Sequence, residues 1–334
     1  MRAFAELGHR GQVSRLRRLV AKALAAYDVR PVRMAPLPRG DNVAFRLETV
    51  DGQRYVLRIH RVGGNPWHPQ RNAAHVESEL TWLAALRRET DLVVPEPVPN
   101  RLGELLTIAE VEGVPEPRIC VLLRWVEGRF LSAGLTPRHM DRVGGFIAHL
   151  HMHALAFEPP EGFVRGRLGD TSPEVATFVG DTVGEVRGRN AAAIAAQVID
   201  RAREAQRTLG NKPEAFGLIH GDLHQENYLF HRGDVCAIDF DDCGWGHLLW
   251  DLAVTLSEVQ YFPNYETLRT AVLRGYRSVR PLPDDLERHL EPLMALRLLQ
   301  LMLWFLEQRD NPAFINWEDE VEILQAELNA FVGA

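Results

Sequence analysis

Leu218-Ile219-His220-Gly221-Asp222-Leu223-His224-Gln225-Glu226-Asn227 and, shortly after, Cys236-Ala237-Ile238-Asp239-Phe240-Asp241 hold the pattern His-x-Asp-x-x-x-x-Asn followed by a further Asp. Between the two lie Tyr228-Leu229-Phe230-His231 and Val235-Cys236-Ala237-Ile238, short apolar runs that read as strands, with Arg232-Gly233-Asp234 as the turn. A hairpin pairs the start of its first strand with the end of its second. Asn227 precedes the first strand and Asp239 follows the second, so their side chains are expected at one end. Two oxygen ligands beside Asp222 suit Mg²⁺, a hard cation that fills its shell with water and phosphate oxygens. Asp222 is then left to accept a proton from an attacking hydroxyl, or to orient it. The expected chemistry is phosphoryl transfer. Read singly, each of these residues is an ordinary turn or cap residue; the joint spacing is what carries the signal.

The wording His-Gly-Asp-Leu-His-x-x-Asn with Ile-Asp-Phe-Asp-Asp after it resembles the aminoglycoside phosphotransferase and choline kinase group of the protein-kinase-like fold. That group includes type II homoserine kinases and a bacterial stress-response protein kinase. The resemblance implies a bilobal α+β fold, with a small antiparallel-sheet lobe over residues 1–123 and a larger, mostly helical lobe over 124–334. It also implies ATP and Mg²⁺, with Asp222 catalytic and Asn227 and Asp239 holding the metal.

The first part of the chain has an order that suits this expectation. Val13, Leu16, Leu19, Val20, Ala23 and Leu24 recur at helical spacing. Such a basic amphipathic helix can lie on a membrane, but packing against a sheet is the commoner use. Residues 34–47 read as strand, turn, strand, and Asp51-Gly52 turns the chain into Arg54–His60. The turn holding Gly40 and Asn42 falls where the related fold closes a loop over nucleotide phosphates. Gly40 would permit close backbone approach there, although a plain hairpin turn looks the same.

In Tyr55-Val56-Leu57-Arg58-Ile59-His60, alternation puts Val56 and Arg58 on one face and Tyr55, Leu57 and Ile59 on the other. The resemblance assigns Val56 to adenine and Arg58 to the phosphates, where related proteins carry Lys. Arginine keeps the charge but brings a planar, bulkier head. On the following helix the resemblance calls for a Glu paired with that cation. Glu79 fits best and Glu77 is its rival, since two residues along a helix differ by roughly 200° in direction. After Pro95, Pro97 and Pro99 come two more strands, 104–111 and 118–126. The second is expected to end in a hinge, where backbone groups of Arg124 and Val126 meet the adenine edge.

Beyond the hinge the composition turns helical. On the helix over 140–157, His149 and His153 share a face at i and i+4. No Glu lies between them in the place a zinc peptidase needs, so core or interface histidines are expected instead. Asp251 matches a position thought to brace the catalytic loop. His220 and His224 are assigned to loop geometry. Acidic residues at 284, 285, 287, 318–320 and 322 suit an amine-bearing acceptor, and solvated helix faces look the same.

Composition bounds the rest. With 334 residues, 46% hydrophobic and 25% charged, the chain has the make-up of a globular protein with room for two cores. Its net charge of −7 argues against a nucleic-acid partner. No run approaches the roughly 20 apolar residues of a membrane span. Three scattered cysteines, with no paired or metal spacing, suit a reducing cytoplasm. The expected reaction is transfer of the γ-phosphate of ATP to a hydroxyl of a small molecule such as homoserine, an amino alcohol or an aminosugar. A protein Ser/Thr kinase of the stress-response type would share every catalytic residue. A non-catalytic nucleotide-binding regulator is the third reading, and the Arg in the usual Lys position is the only feature in its favour.

Overall fold

A computed structural model of the chain describes residue 4 and residues 6–37, 42–61, 72–131, 134–309 and 316–333. Gly40, the expected phosphate-loop glycine, lies outside the described residues. The chain divides into two compact units, Met1–Glu127 with Pro159–Val164, and Gly128–Glu158 with Arg165–Ala334. The short excursion belongs with the first unit, where the Val164 amide donates to Ser78 Oγ at 2.8 Å.

The first unit contains α1 (His9–Leu24), β1 (Pro31–Pro36), β2 (Val43–Thr49), β3 (Arg54–Ile59), α2 (Ala73–Glu89), β4 (Leu106–Ala109) and β5 (Arg118–Arg124). The strands form one antiparallel sheet in the order β1-β2-β3-β5-β4. Prolines sit at both ends of β1, as an edge strand allows. Tyr55, Leu57 and Ile59 alternate into a core with Leu16, Leu19, Val20 and Ala23 of α1, and Phe45, Leu47, Cys120 and Leu122 complete it. The apolar stripe of α1 is thus spent on the sheet. Each such large side chain taken from water contributes about 1.5–3 kcal/mol. Asn72 caps α2, its Oδ1 accepting from the His75 amide at 3.1 Å.

The second unit contains α3 (Pro137–Ala156), α4 (Pro173–Arg187), α5 (Arg189–Leu209), β6 (Phe216–Ile219), β7 (Tyr228–His231), β8 (Asp234–Ala237), a 3₁₀ turn (Phe240–Asp242), β9 (Gly244–His247), α6 (Leu249–Val259), α7 (Tyr265–Arg277), α8 (Asp284–Glu287), α9 (Leu290–Glu307) and α10 (Trp317–Gly333). β7 and β8 form the expected hairpin. Its turn residues Arg232 and Gly233 both have positive φ (52° and 95°), as a type I′ connection requires. β6 pairs antiparallel with β9.

Helices α3 and α7 touch backbone to backbone. A Cβ built on Gly144 would fall 1.9 Å from the Val272 carbonyl oxygen, and one on Gly275 would fall 1.8 Å from that of Asp141. Only glycine fits at this crossing. Against the expectation of no membrane-length run, Asp284–Glu307 is long and apolar enough by length and composition. Yet 72% of its most apolar window is buried inside the protein, and α5, α6 and α10 pack on its α9 portion. Burial in a helical core explains that hydropathy.

Candidate active site

β6 delivers the chain into the loop 220–227, and α6 holds that loop from beneath. Asp251, fully buried, accepts from the amides of His220 (Oδ2, 3.0 Å) and Gly221 (Oδ1, 2.7 Å). One helical turn on, Thr255 Oγ1 donates to the Leu223 carbonyl at 2.8 Å, and Trp250 Nε1 donates to the Gly221 carbonyl at 2.9 Å. Residues i and i+4 share a helix face, so a single face of α6 fixes the loop at His220–Gly221 and again at Leu223. Gly221 has φ +85°, and a Cβ there would lie 2.4 Å from Leu168 Cδ1. The glycine of His-Gly-Asp is therefore required by both conformation and space. His220 serves loop geometry: its Nε2 bonds the Ile238 carbonyl at 3.0 Å and its Nδ1 accepts from the Asp222 amide at 3.3 Å. Burial pushes its pKa down, favouring the neutral ring.

Asp222 is partly buried and heavily bonded. Asn227 Nδ2 donates to the Asp222 carbonyl oxygen and to Oδ2, both at 2.9 Å. His224 Nε2 lies 3.5 Å from the same Oδ2, and Arg297 Nη2 donates to Oδ1 at 2.6 Å. Burial alone would raise the carboxyl's pKa, but Arg297 and His224 outweigh it and hold Asp222 below the usual carboxylate range. For His224, burial opposes protonation, yet the Asp222 carboxylate raises its pKa on balance.

The backbone amide of Ile238 donates to the Asn227 carbonyl at 2.9 Å, which extends the hairpin ladder by one pair. Asp239 is the next residue, exposed and in the left-handed region (φ 59°) that Asp tolerates. Asn227 and Asp239 thus belong to the same end of the hairpin. With its nitrogen committed to Asp222, the Asn227 amide leaves Oδ1 for a cation, and the exposed Asp239 carboxylate adds charged oxygens. Two hard oxygen donors fit a divalent cation such as Mg²⁺.

In the first unit, Arg58 Nη2 lies 2.7 Å from both Oε1 and Oε2 of Glu79, and both side chains are buried. Glu77 is exposed, so helical direction selects Glu79. Val56 is half-buried on β3 opposite Leu123 of β5. Asn42 Oδ1 accepts from the Arg61 amide at 3.0 Å. The Arg124 amide is already committed to the Glu96 carbonyl at 2.9 Å and cannot donate to a ligand. Val126 is half-buried, and its amide makes no hydrogen bond among the described residues.

The acidic cluster offered to an amine is partly spent. Arg277 binds Asp284 and Glu287, and Arg269 also binds Glu287. His149 is exposed while His153 is buried, so no zinc pair forms from them. Sequence reasoning missed Arg297. Its signal was a lone Arg with Gln300 three residues on inside Leu-rich sequence, because a charge on a buried helix face must be paired.

Residues 34–292 match the model of the family described as the phosphotransferase enzyme family. The chain belongs to that family. Among curated relatives of this phosphotransferase, a homoserine kinase of Methylobacillus flagellatus is 27% identical over 78% of this chain and 75% of its own length. An amicoumacin kinase of Bacillus subtilis is 33% identical over 73% and 68%. Among solved structures, a microcompartment-associated aminopropanol kinase superposes with a TM-score of 0.74, at 27% identity over 93% of this chain and 94% of its own. The amicoumacin kinase hAmiN, solved in complex with AMP-PNP, Ca²⁺ and Ami, has a TM-score of 0.75 at 18% identity over 96% of this chain and 95% of its own, a likeness of fold. The fold is the protein-kinase-like α+β arrangement of a small antiparallel-sheet unit and a larger helical one. The protein is a kinase, a phosphotransferase acting on an alcohol group of a small molecule.

Proposed function

We propose that this phosphotransferase moves the γ-phosphoryl group of ATP, with Mg²⁺, onto the hydroxyl of a small amino-bearing metabolite. The observation that carries the reading is Asp222, ionised and fixed by Asn227 beside a hairpin end that offers two oxygen ligands. In this reading Asp222 orients the acceptor hydroxyl and takes its proton as the new O–P bond forms and ADP leaves. Asn227 and Asp239 would hold the metal, which supplies neutralisation of phosphate charge when bound. In the first unit, Arg58 is assigned to the nucleotide phosphates and Glu79 to holding it in place. Val56 and the backbone of Arg124 and Val126 are assigned to adenine, with the Arg124 carbonyl as the only group it retains for that task. Gly40 and Asn42 are assigned to the phosphate loop. Three buried cysteines, none in a disulfide among the described residues, support a reducing cytoplasm.

Relatives named for homoserine, aminopropanol and amicoumacin support an acceptor with an amine near its hydroxyl. The test follows label from Mg²⁺-ATP to a panel of hydroxy amino acids, amino alcohols, aminoglycosides, sugars and generic protein substrates. Label on one small alcohol supports the reading. Label on protein alone contradicts it.

A further inference from the structure

Helix α9 is almost wholly apolar where it is buried, with Leu293, Leu296, Leu299, Met302 and Leu306 in the core. Arg297 stands among them, only 7% exposed. A guanidinium so placed needs every N–H answered. Nη2 has Asp222 and Nη1 donates to Gln300 Oε1 at 3.0 Å, but Nε is buried with no hydrogen-bond partner among the described residues. A second orphan lies in the same loop region: the hydroxyl of Tyr228, the residue after Asn227, is buried and without a partner among the described residues.

The pairing with Asp222 does not by itself account for Arg297. The Asp222 carboxylate already receives Asn227 and has His224 beside it. A further cation makes it a poorer proton acceptor. A group that weakens the base yet keeps an unanswered donor beside it is better explained by a second duty toward the acceptor. Opposite charge is available on α6: Glu258, half-buried, stands three residues after Thr255 and seven after Asp251, on the helix face that holds the loop.

We propose that Arg297 is a specificity residue whose free Nε receives a carboxylate of the acceptor, so that the preferred substrate is a hydroxy amino acid rather than the amino alcohol lacking that carboxylate. Glu258 supplies the negative charge for the acceptor's ammonium. The assignment rests on the small-acceptor reading above and narrows it.

Two pairs of compounds differ only by the carboxylate: L-homoserine with 3-aminopropan-1-ol, and L-threonine with 1-aminopropan-2-ol. The experiment measures kcat/KM for all four with Mg²⁺-ATP in the full-length wild type, Arg297→Lys and Arg297→Gln. The wild type should prefer the acid of at least one pair by about tenfold or more, as a site with an unanswered donor rejects a ligand lacking its partner. Arg297→Gln should bring that ratio near one, chiefly through KM for the acid, and Arg297→Lys should lie between. A general injury to Asp222 would slow both members of a pair alike and leave the ratio unmoved. If Arg297→Gln does not fold, the wild-type ratio decides. An amino alcohol used as well as or better than its acid overturns the proposal alone, as does an unchanged ratio in the folded variant. Transfer to none of the four compounds overturns it as well, and label found only on protein removes the small-acceptor reading with it.

Discussion

His151 Nε2 lies 3.0 Å from Asp251 Oδ2, and neither side chain is exposed to solvent. The contact is one link in a directed chain. Arg280 Nη1 donates to the Tyr276 hydroxyl at 3.2 Å, Tyr276 donates to His151 Nδ1 at 2.9 Å, and His151 donates to Asp251. The tautomer with its proton on Nε2 satisfies every member, an assignment made from the network. Asp251 in turn holds the amides of His220 and Gly221, so α3 and α7 reach the Asp222 loop through α6.

His151→Leu would leave the Tyr276 hydroxyl without its acceptor and take one of three donors from Asp251. Stranding a buried polar group costs about 1–3 kcal/mol. Urea unfolding should show that loss, and transfer activity should fall while the nucleotide KM stays nearly constant. A variant as stable and active as the wild type would contradict the bracing role.

The Arg58–Glu79 pair is made through a single nitrogen, Nη2, reaching both carboxylate oxygens. One ammonium can reproduce that contact. Arg58→Lys should therefore fold and keep transfer within about tenfold of the wild type. Glu79→Ala breaks a buried ion pair and should cost about 3–5 kcal/mol in denaturant unfolding.

At the α3–α7 crossing, Gly275→Ala or Gly144→Ala must push two backbones apart. Overpacking costs about 1–3 kcal/mol, enough to outweigh the helix-propensity gain of about 1 kcal/mol. Gly180 of α4 has nothing within 4 Å of the position a Cβ would take. Gly180→Ala should stabilise by up to about 1 kcal/mol. Thermal unfolding of the three variants checks the opposite signs.

Stability should fall between pH 6.5 and 4 through His247. Burial, with Arg167 adding to it, pushes this ring from 6.5 down to about 4. Over that window the unfolded chain binds a proton the folded protein refuses, so folding stability is full above pH 6.5 and is lost on acidification. The loss reaches up to about 3 kcal/mol near pH 4. His220, also lowered by burial, acts in the same direction. Unfolding free energies of wild type and His247→Gln across this window should diverge, the variant having the shallower slope.

What was legible in the sequence was local. The hairpin 228–238 follows from strand pattern and a turn within a short window, whereas Glu79 in preference to Glu77 and the bracing Asp251 follow from the resemblance that the catalytic motif carries. β9 was not legible, because Gly244 and Gly246 are poor strand formers. They are needed there because a Cβ would come within 2.7 Å of the Gly166 carbonyl oxygen and within 2.5 Å of Ile219 Cδ1. Arg297 was missed for another reason. It meets Asp222 from 75 positions away along the chain, and no periodicity joins a loop to a helix so distant. The commitment of the Arg124 amide to Glu96 is likewise a tertiary fact that strand pattern does not reveal.

The central claim is that Asp222 acts on the acceptor hydroxyl and not on nucleotide binding. Asp222→Asn keeps the shape of the side chain and removes its charge. Rapid-quench single-turnover transfer from Mg²⁺-ATP, with ATP affinity measured on the same sample, separates the two functions. Transfer should slow by at least about 100-fold while ATP affinity changes by only a few-fold. A variant that transfers at near wild-type rate, or one whose loss is entirely in ATP binding, would contradict the account.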